Sequence, residues 1–228
     1  AVRYVKFDAT GASNGTSWAD AYPNLLLARL AAVSGDEIWV ARGTYRPATP
    51  GTPNPRTVAH GLKTGVSILG GFAGNETSRS QRNPRLNITI LSGDINGDDT
   101  PNFGNRSDNS FHVVTSFGQG GRLDGFTIQG GQADSTGDNA FGGGLRIRDS
   151  QNSVISNCIF RDNFASRGAA VASVDSSPLL AQCLFIENRG GSVGVIDAQN
   201  SGRLFLVGCT IAANHTNFPG GGAVMFLN

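Results

Sequence analysis

The sequence predicts an all-β fold, because it contains an internal repeat, alternates apolar residues along short runs, and separates those runs with turn residues. Three segments, residues 157–163, 182–188 and 208–214, are near copies of one another. Each has a cysteine as its second residue and an asparagine as its last, and the cysteines follow one another after 25 and 26 residues. A looser copy begins at Phe126. Repeats of this length stack side by side, because one unit alone cannot bury its apolar face.

Each repeat has the pattern of one coil of a parallel β-helix. Cys158 and Phe160 alternate with residues that point away from them, as on a strand with one inward face. Two further apolar runs, residues 144–147 and 153–155, come before them, and equivalent runs precede the later copies. Three short strands separated by Gly, Asn, Asp and Ser make one coil. We therefore predict a right-handed parallel β-helix with coils about 4.8 Å apart.

Stacked coils place equivalent residues in columns. The two predicted columns are Cys158, Cys183 and Cys209, and Asn163, Asn188 and Asn214. We interpret the cysteines as small buried residues rather than as disulfides or metal ligands, because their spacing is that of the repeat and no histidine accompanies them in a ligand-like pattern. Asparagine suits the turns, because its amide bonds to the copies above and below and it tolerates left-handed backbone.

One helix is predicted ahead of the coils. Asn24 is a suitable N-cap, and Gly35 is a stop signal. Leu26, Leu27 and Leu30 would lie on one helical face. We expect this capping α-helix to cover the open apolar end of the first coil, whose unpaired strand edges would otherwise promote aggregation.

The chain of 228 residues is predicted to be a single β-helix domain. Residues 1–36 form an N-terminal strand and the cap helix, residues 37–120 form early coils with long loops, and residues 121–228 form the regular coils. The long loops lack a regular pattern, so we expect them on the outside, where binding usually resides. They are residues 47–57, 73–86 and 93–110.

Composition limits the partners. The formal net charge is +1 and charged residues are only 15% of the chain, so there is no electrostatic case for binding nucleic acid or an anionic membrane. No apolar run is long enough for direct membrane insertion. Residues 222–228 have the pattern of the first strand of another coil. We therefore expect further coils or other subunits as partners at that end.

Several segments of the first half carry a family resemblance. They are residues 35–47, 69–77, 90–98 and 108–114. They resemble secreted bacterial proteins with right-handed parallel β-helix repeats of the pectin-lyase-like superfamily. The later copies are similar to the Phe-x-x-Asn repeat of polymorphic outer-membrane proteins, at Phe160 with Asn163 and Phe185 with Asn188, whereas the third copy has Ile211 in place of Phe. The resemblance implies the β-helix fold and an exported, extracellular or cell-surface location.

The loop that begins at residue 93 holds the best candidate for a metal site. Its oxygen-bearing side chains alternate, as at the start of a calcium-binding loop. It departs from the EF-hand signature, which has Gly where this chain has Asp99 and ends in a Glu. We predict calcium bound in another geometry, and the alternative is a polar loop whose side chains make their own turn bonds. The candidate ligands are Asp94, Asn96, Asp98, Asp99 and Asp108.

Acid–base chemistry on a polysaccharide is the alternative function. Hydrolysis would need two carboxylates about 5–10 Å apart, and lysis would need a base with calcium or arginine. The repeat register makes Asp162 and Glu187 neighbours. The signature sequences of polygalacturonases are not present. The charged residues expected to point outward are Arg146, Arg148, Arg161, Asp162 and Glu187.

These observations favour an extracellular or cell-surface structural or adhesive protein without catalysis, which binds through its loops or assembles with other subunits. The alternative is a polysaccharide lyase or glycoside hydrolase acting on an acidic polysaccharide. His112 is interpreted as a hydrogen-bonded structural residue. Trp18, Trp39 and Phe72 are interpreted as packing residues rather than as sugar-binding platforms.

Overall fold

Short strands are the main regular elements of the protein in a computed structural model, which describes residues 1–49, 51–200, 203–216 and 224–227. One α-helix, α1 (Leu25–Ala31), and three 3-10 turns, Pro55–Thr57, Arg79–Gln81 and Gly137–Ala140, accompany the strands. In chain order the strands are β1 (Val2–Val5), β2 (Glu37–Ala41), β3 (Gly43–Tyr45), β4 (His60–Gly61), β5 (Ser67–Phe72), β6 (Thr89–Ser92), β7 (Val114–Gln119), β8 (Arg122–Asp124), β9 (Thr127–Gln129), β10 (Gln132–Ala133), β11 (Leu145–Ser156), β12 (Ile159–Arg161), β13 (Phe164–Ala165), β14 (Val171–Val174), β15 (Ser177–Ala181), β16 (Leu184–Ile186), β17 (Arg189–Gly190), β18 (Ile196–Gln199), β19 (Phe205–Val207), β20 (Thr210–Ala212), β21 (His215–Thr216) and β22 (Val224–Leu227).

The described strands form three parallel sheets. A twelve-stranded sheet follows the order β1-β2-β5-β8-β11-β14-β18-β22, with β4, β7, β15 and β19 joined to it. A six-stranded sheet has the order β20-β16-β12-β9-β6-β3, and a four-stranded sheet has the order β10-β13-β17-β21. The prediction of an all-β fold with parallel strands and one helix is confirmed. The two-residue strands of the smallest sheet were not predicted, so a regular repeat has four strand segments rather than three.

The core is a column of inward side chains contributed by successive parallel strands. Phe160 and Phe185 are fully buried, and their rings stack with centroids 5.0 Å apart. Cys158 and Cys183 are buried and unpaired, whereas Cys209 is half-buried. Burial raises the pKa of the Cys158 thiol. The inward column of the six-stranded sheet is Tyr45, Leu91, Ile128, Phe160, Phe185 and Ile211, all in register.

The asparagine column is a continuous chain of hydrogen bonds. Asn163 Nδ2 donates to Asn188 Oδ1 at 3.0 Å, and Asn188 Nδ2 donates to Asn214 Oδ1 at 2.9 Å. Asn188 Nδ2 also donates to the Phe160 carbonyl of the preceding coil at 2.8 Å. Asn163 and Asn188 are completely buried. A buried amide must have partners, so these bonds tie the coils together in one register.

The left-handed residues of these turns are not the asparagines. They are the residues just before them, Asp162, Glu187 and Ala213, with φ of 51°, 57° and 50°. The expectation that asparagine supplies the left-handed backbone is therefore wrong. The amide instead bonds neighbouring coils, and the turn places the preceding residue in the left-handed region.

Helix α1 begins as predicted. Asn24 Oδ1 accepts a hydrogen bond from the Leu27 N–H at 3.0 Å. At the other end, Lys63 Nζ donates to the carbonyls of Arg29 at 3.1 Å and Ala32 at 2.6 Å. A cation at a helix C-terminus satisfies the last carbonyls and complements the helix dipole.

The predicted buried face of α1 is wrong. Leu25 and Ala28 are buried and belong to the core cluster, next to Val5 of β1. Burying Leu25 rather than Leu26 turns the contact face by one residue. The face follows from how the helix rests on the coil, which its own periodicity does not specify. The leucines expected in the core are exposed, Leu26 by 49%, Leu27 by 41% and Leu30 by 62%.

A second apolar cluster lies outside the main core. It contains Trp39, Leu69 and Phe72, with Tyr4 and Trp18 packed against it. The Trp39 and Phe72 rings stack at 4.7 Å, and the Trp18 ring lies 4.8 Å from Tyr4. These aromatic residues pack on one another, in agreement with their interpretation as packing residues.

The strand expected near the end of the chain is present as β22, which pairs with β18 as the next coil would. Gly222 and Asn228 lie outside the described residues. Among the described helices, none combines the length and the apolar character that a membrane crossing needs.

Candidate functional site

A groove of about 940 Å³ lies where the loop of residues 93–110 passes over the ends of β12 and β16. The loop forms one wall, and turn residues of successive coils form the floor. This arrangement follows from the parallel register: outward residues at the ends of successive strands lie next to one another, so each repeat adds polar groups to the floor.

The floor carries charged residues from adjacent coils. Arg161 is in register with Ile186, so the following residues, Asp162 and Glu187, are neighbours, as the repeat predicted. Arg161 Nε lies 2.8 Å from Asp162 Oδ2, and its Nη2 lies 3.7 Å from Glu187 Oε2. Arg189 follows, in register with His215. The floor therefore presents two carboxylates that share one guanidinium.

The wall is anchored to the coils at several points. The Ser110 N–H donates to the Gly93 carbonyl at 2.9 Å and closes the base of the loop. Arg106 Nη1 donates to the Asp162 carbonyl at 2.7 Å. Asn109 Nδ2 donates to the Gly130 carbonyl at 2.7 Å. The loop therefore holds a defined position against two successive coils.

A buried ion pair lies behind the wall. Arg106 Nε is 3.4 Å from Asp99 Oδ2, and Asn109 Nδ2 donates to the same oxygen at 3.0 Å. Burial raises the pKa of Asp99, with smaller raising effects from Asp94 and Asp108, against the lowering effects of Asn109 and Arg106. Burial also lowers the pKa of Arg106. Desolvation weakens the charged form of each partner, while their mutual attraction keeps them paired.

An aromatic ring completes the groove. The ring of Phe103 lines it at the tip of the loop. The guanidinium carbon of Arg106 lies 4.1 Å from the ring centroid, and that of Arg189 lies 5.9 Å from it. The groove thus combines arginines, carboxylates and one half-buried aromatic ring, a set that suits a ligand with many hydroxyl groups.

The predicted calcium ligands separate into two groups. Asp94, Asp98 and Asp108 come together, with one carboxylate oxygen of each within 4.8 Å of the others. Asp99 lies apart, because it is paired with Arg106. Asn96 has an exposed side chain, and its backbone N–H donates to Asp108 Oδ2 at 2.9 Å.

Two of the clustered carboxylates, those of Asp94 and Asp108, also accept hydrogen bonds from the loop backbone. Asp94 Oδ1 accepts hydrogen bonds from the N–H groups of Gly97 at 2.7 Å and Asp98 at 3.1 Å. Carboxylate oxygens are the ligands that calcium prefers. The donor set fits a hard cation, although part of it already serves the turn.

Two of the arginines expected to point outward lie away from the groove, and one of them is buried. Arg146 Nη2 is 2.8 Å and Arg148 Nη1 is 2.6 Å from Asp138 Oδ2, away from the groove. Arg146 is only 5% exposed. Its outward position agrees with the burial of Leu145 and Ile147 on either side of it in the core, but the expectation that it is solvated is wrong, because Asp138 of the 3-10 turn pairs with it.

The two buried histidines have the geometry of structural residues, because each donates a hydrogen bond to a backbone carbonyl. His112 Nδ1 donates to the Gly142 carbonyl at 3.1 Å, and His60 Nε2 donates to the Tyr45 carbonyl at 3.2 Å. Burial lowers the pKa of each to about 4. Both imidazoles are therefore neutral at neutral pH.

Sequence reasoning did not select three residues of the groove, Phe103, Arg106 and Arg189. Arg189 stands one place after the asparagine of its repeat, and this position could have identified it. Phe103 and Arg106 belong to a loop without a repeat equivalent. Their contact with the groove floor depends on how the loop folds back onto the coils, and the local sequence pattern does not predict this.

No protein-family profile matches the chain, and no curated protein matches it. A solved structure of a rhamnogalacturonan lyase is similar at 15% sequence identity and a TM-score of 0.47. The match covers 95% of this chain and 62% of the lyase chain, so this chain spans less than two thirds of that protein.

Proposed function

We propose that the protein is an exported, cell-surface structural protein that binds a polysaccharide in the groove without cleaving it. The groove carries this proposal: paired arginines and carboxylates beside an aromatic ring offer hydrogen bonds to hydroxyl groups and an apolar surface to a sugar ring. Binding of this kind needs a rigid scaffold, and the stacked parallel strands supply one.

The proposed scaffold is a right-handed solenoid in which the three sheets are the faces of one stack of coils. The parallel pairing of each repeat with the next supports it. Residues 1–228 would then be one β-helix domain within a longer chain or an assembly of subunits. A stack of this kind holds the groove at a fixed distance from whatever anchors it.

Calcium is proposed as a structural ion of the groove wall. Asp94, Asp98 and Asp108 would hold it, and they stand in the loop that also provides Phe103 and Arg106. The ion would relieve repulsion among three close carboxylates and stiffen the loop.

A polysaccharide lyase or glycoside hydrolase acting on an acidic polysaccharide is the second candidate. Asp162 and Glu187 favour it, because two carboxylates stand on adjacent coils in one groove, as hydrolysis requires. Both lie close to Arg161, and these ion-pair contacts occupy the carboxylates and weaken the case for either as a proton donor.

Affinity electrophoresis in gels containing soluble polysaccharides tests the binding. We expect at least one polysaccharide to retard the protein, and Arg161→Ala to remove the retardation. Arg148→Ala is the matched control, because Arg148 is similarly exposed and also paired to aspartate, but lies outside the groove. No retardation by any polysaccharide, or equal retardation of both variants, contradicts the proposal.

Two further assays separate the alternatives. New reducing ends or an unsaturated product, assayed on the polysaccharide that binds, would favour the enzyme.

Calcium titration with and without a chelator tests whether the three aspartates of the loop bind the ion. We expect calcium to raise the melting temperature of the wild type and to have no effect on Asp98→Asn.

A further inference from the structure

The backbone at the tip of the groove loop is unusual. Phe103 has φ of 63°, and the nearby Asn102 and Asn105 have φ of 61° and 60°. Asparagine tolerates the left-handed region, whereas a bulky aromatic residue adopts it only at a cost in free energy. Strain of this kind persists where the surroundings hold the residue in place, and it concentrates at ligand sites.

The surroundings of the ring show what holds it. Arg106 is 9% exposed and lies 4.1 Å from the ring centroid, so one side of Phe103 is packed against a fixed cation. Arg106 is itself held by Asp99 and by the Asp162 carbonyl. The left-handed turn therefore places the ring at the groove rather than in the core or in open solvent.

Arg189 differs from the other arginines of the groove. Arg161 and Arg106 each have a carboxylate nearby. Among the described residues, no carboxylate is paired with Arg189, which is exposed and lies 5.9 Å from the Phe103 centroid. That distance is close to the limit of a cation–π interaction, so a ligand can engage this guanidinium at little cost.

We infer that Phe103 and Arg189 form the recognition point of the groove, where a sugar ring stacks on Phe103 and its anionic substituent binds Arg189. The inference rests on the proposed polysaccharide binding and names the ligand class as an anionic polysaccharide. The apolar C–H face of a sugar ring suits an aromatic surface, and the fork of a guanidinium suits a carboxylate or sulfate group. The strained backbone at Phe103 is then the cost of presenting the ring.

Affinity electrophoresis with alginate, dextran sulfate and neutral dextran tests this, together with urea denaturation of each variant. We expect the wild type to bind an anionic polymer more tightly than dextran. Phe103→Asn should bind that polymer about tenfold more weakly, while its urea midpoint is unchanged or higher because the strain is relieved. Phe103→Trp should bind about as well as the wild type.

Arg189→Gln should lose most of the preference for the anionic polymer and keep the weak binding of dextran. Alginate and dextran sulfate distinguish a carboxylate from a sulfate ligand. A lower urea midpoint with unchanged binding in Phe103→Asn would overturn the inference and give Phe103 a packing role only. Wild-type binding that neither variant alters would overturn this inference and leave the proposed function intact, whereas no wild-type binding would overturn both.

Discussion

The regular coils and the loop of residues 93–110 are held in place by different kinds of contact. In the coils, a residue such as Asn188 meets its own equivalents, Asn163 and Asn214, above and below. In the loop, Arg106 and Asn109 each donate to a backbone carbonyl of the coils, and neither loop residue has an equivalent in the repeats. Repeated contacts therefore specify the scaffold, and unique contacts specify the groove. We expect damage to the first to spread through the protein and damage to the second to stay local.

The largest effect should come from removing an aromatic ring of the inward column. Phe160→Ala leaves a cavity beside Phe185, and we expect the free energy of unfolding to fall by about 4 kcal/mol. Ile159→Ala, on the outer face of the same strand, should cost about 1 kcal/mol. Urea denaturation followed by circular dichroism measures both. Equal losses would mean that the column is not the main source of stability.

Two buried asparagines, one in the coils and one in the loop of residues 93–110, allow the two kinds of contact to be compared directly. Asn188 and Asn109 are both completely buried. Asn188→Ala should lower the free energy of unfolding by about 3 kcal/mol, because it leaves partners in two neighbouring coils unsatisfied. Asn109→Ala should cost about 1 kcal/mol and increase hydrogen exchange only within residues 94–108. A global loss of protection in Asn109→Ala would show that the loop supports the coils.

The cap helix tests the boundary between the two kinds of region. Leu25→Ala should lower the free energy of unfolding by about 2 kcal/mol, because Leu25 is in the core. Leu30→Ala, at a position 62% exposed, should change it by less than about 0.5 kcal/mol. Thermal melts of the two variants measure this difference in stability. A larger loss of stability in Leu30→Ala than in Leu25→Ala would support the buried helix face that the periodicity predicted.

The smallest effect should come from mild acid. His60 and His112 have folded pKa values of about 4, below their ordinary value of about 6.5. The unfolded chain therefore binds protons first as the pH falls, and stability present above pH 6.5 is lost progressively toward pH 4. We expect a fall of about 1.5 kcal/mol between pH 7.5 and pH 6 for the two histidines together. Replacing both histidines by asparagine should flatten this slope in urea titrations, and an unchanged slope would contradict the assignment.

The sequence was sufficient for the parts of the fold that repeat. Spacing alone placed Phe160 and Phe185 on one face and made Asp162 and Glu187 neighbours, because a coil repeats the environment of each position. It did not predict the burial of Arg146, which depends on how the preceding turn places Asp138 against it. Nor did it predict the meeting of Phe103 with Arg189, because that contact joins a unique loop to a coil.

The register of the columns also limits how this protein can change in length. Removing one residue from within a strand would shift the later side chains of that strand off their columns, whereas the turns accept such a change, as the intervals of 25 and 26 residues between the cysteines show. Removing residues 159–183 would instead join Cys158 to Leu184 and keep the order of Cys, Phe and Asn unchanged. Length can therefore change only in whole coils, in steps of about 4.8 Å. Such a protein would act as a spacer with discrete settings, and a change of length within these coils would also replace part of the groove floor, because Arg161 and Asp162 lie in the removed segment.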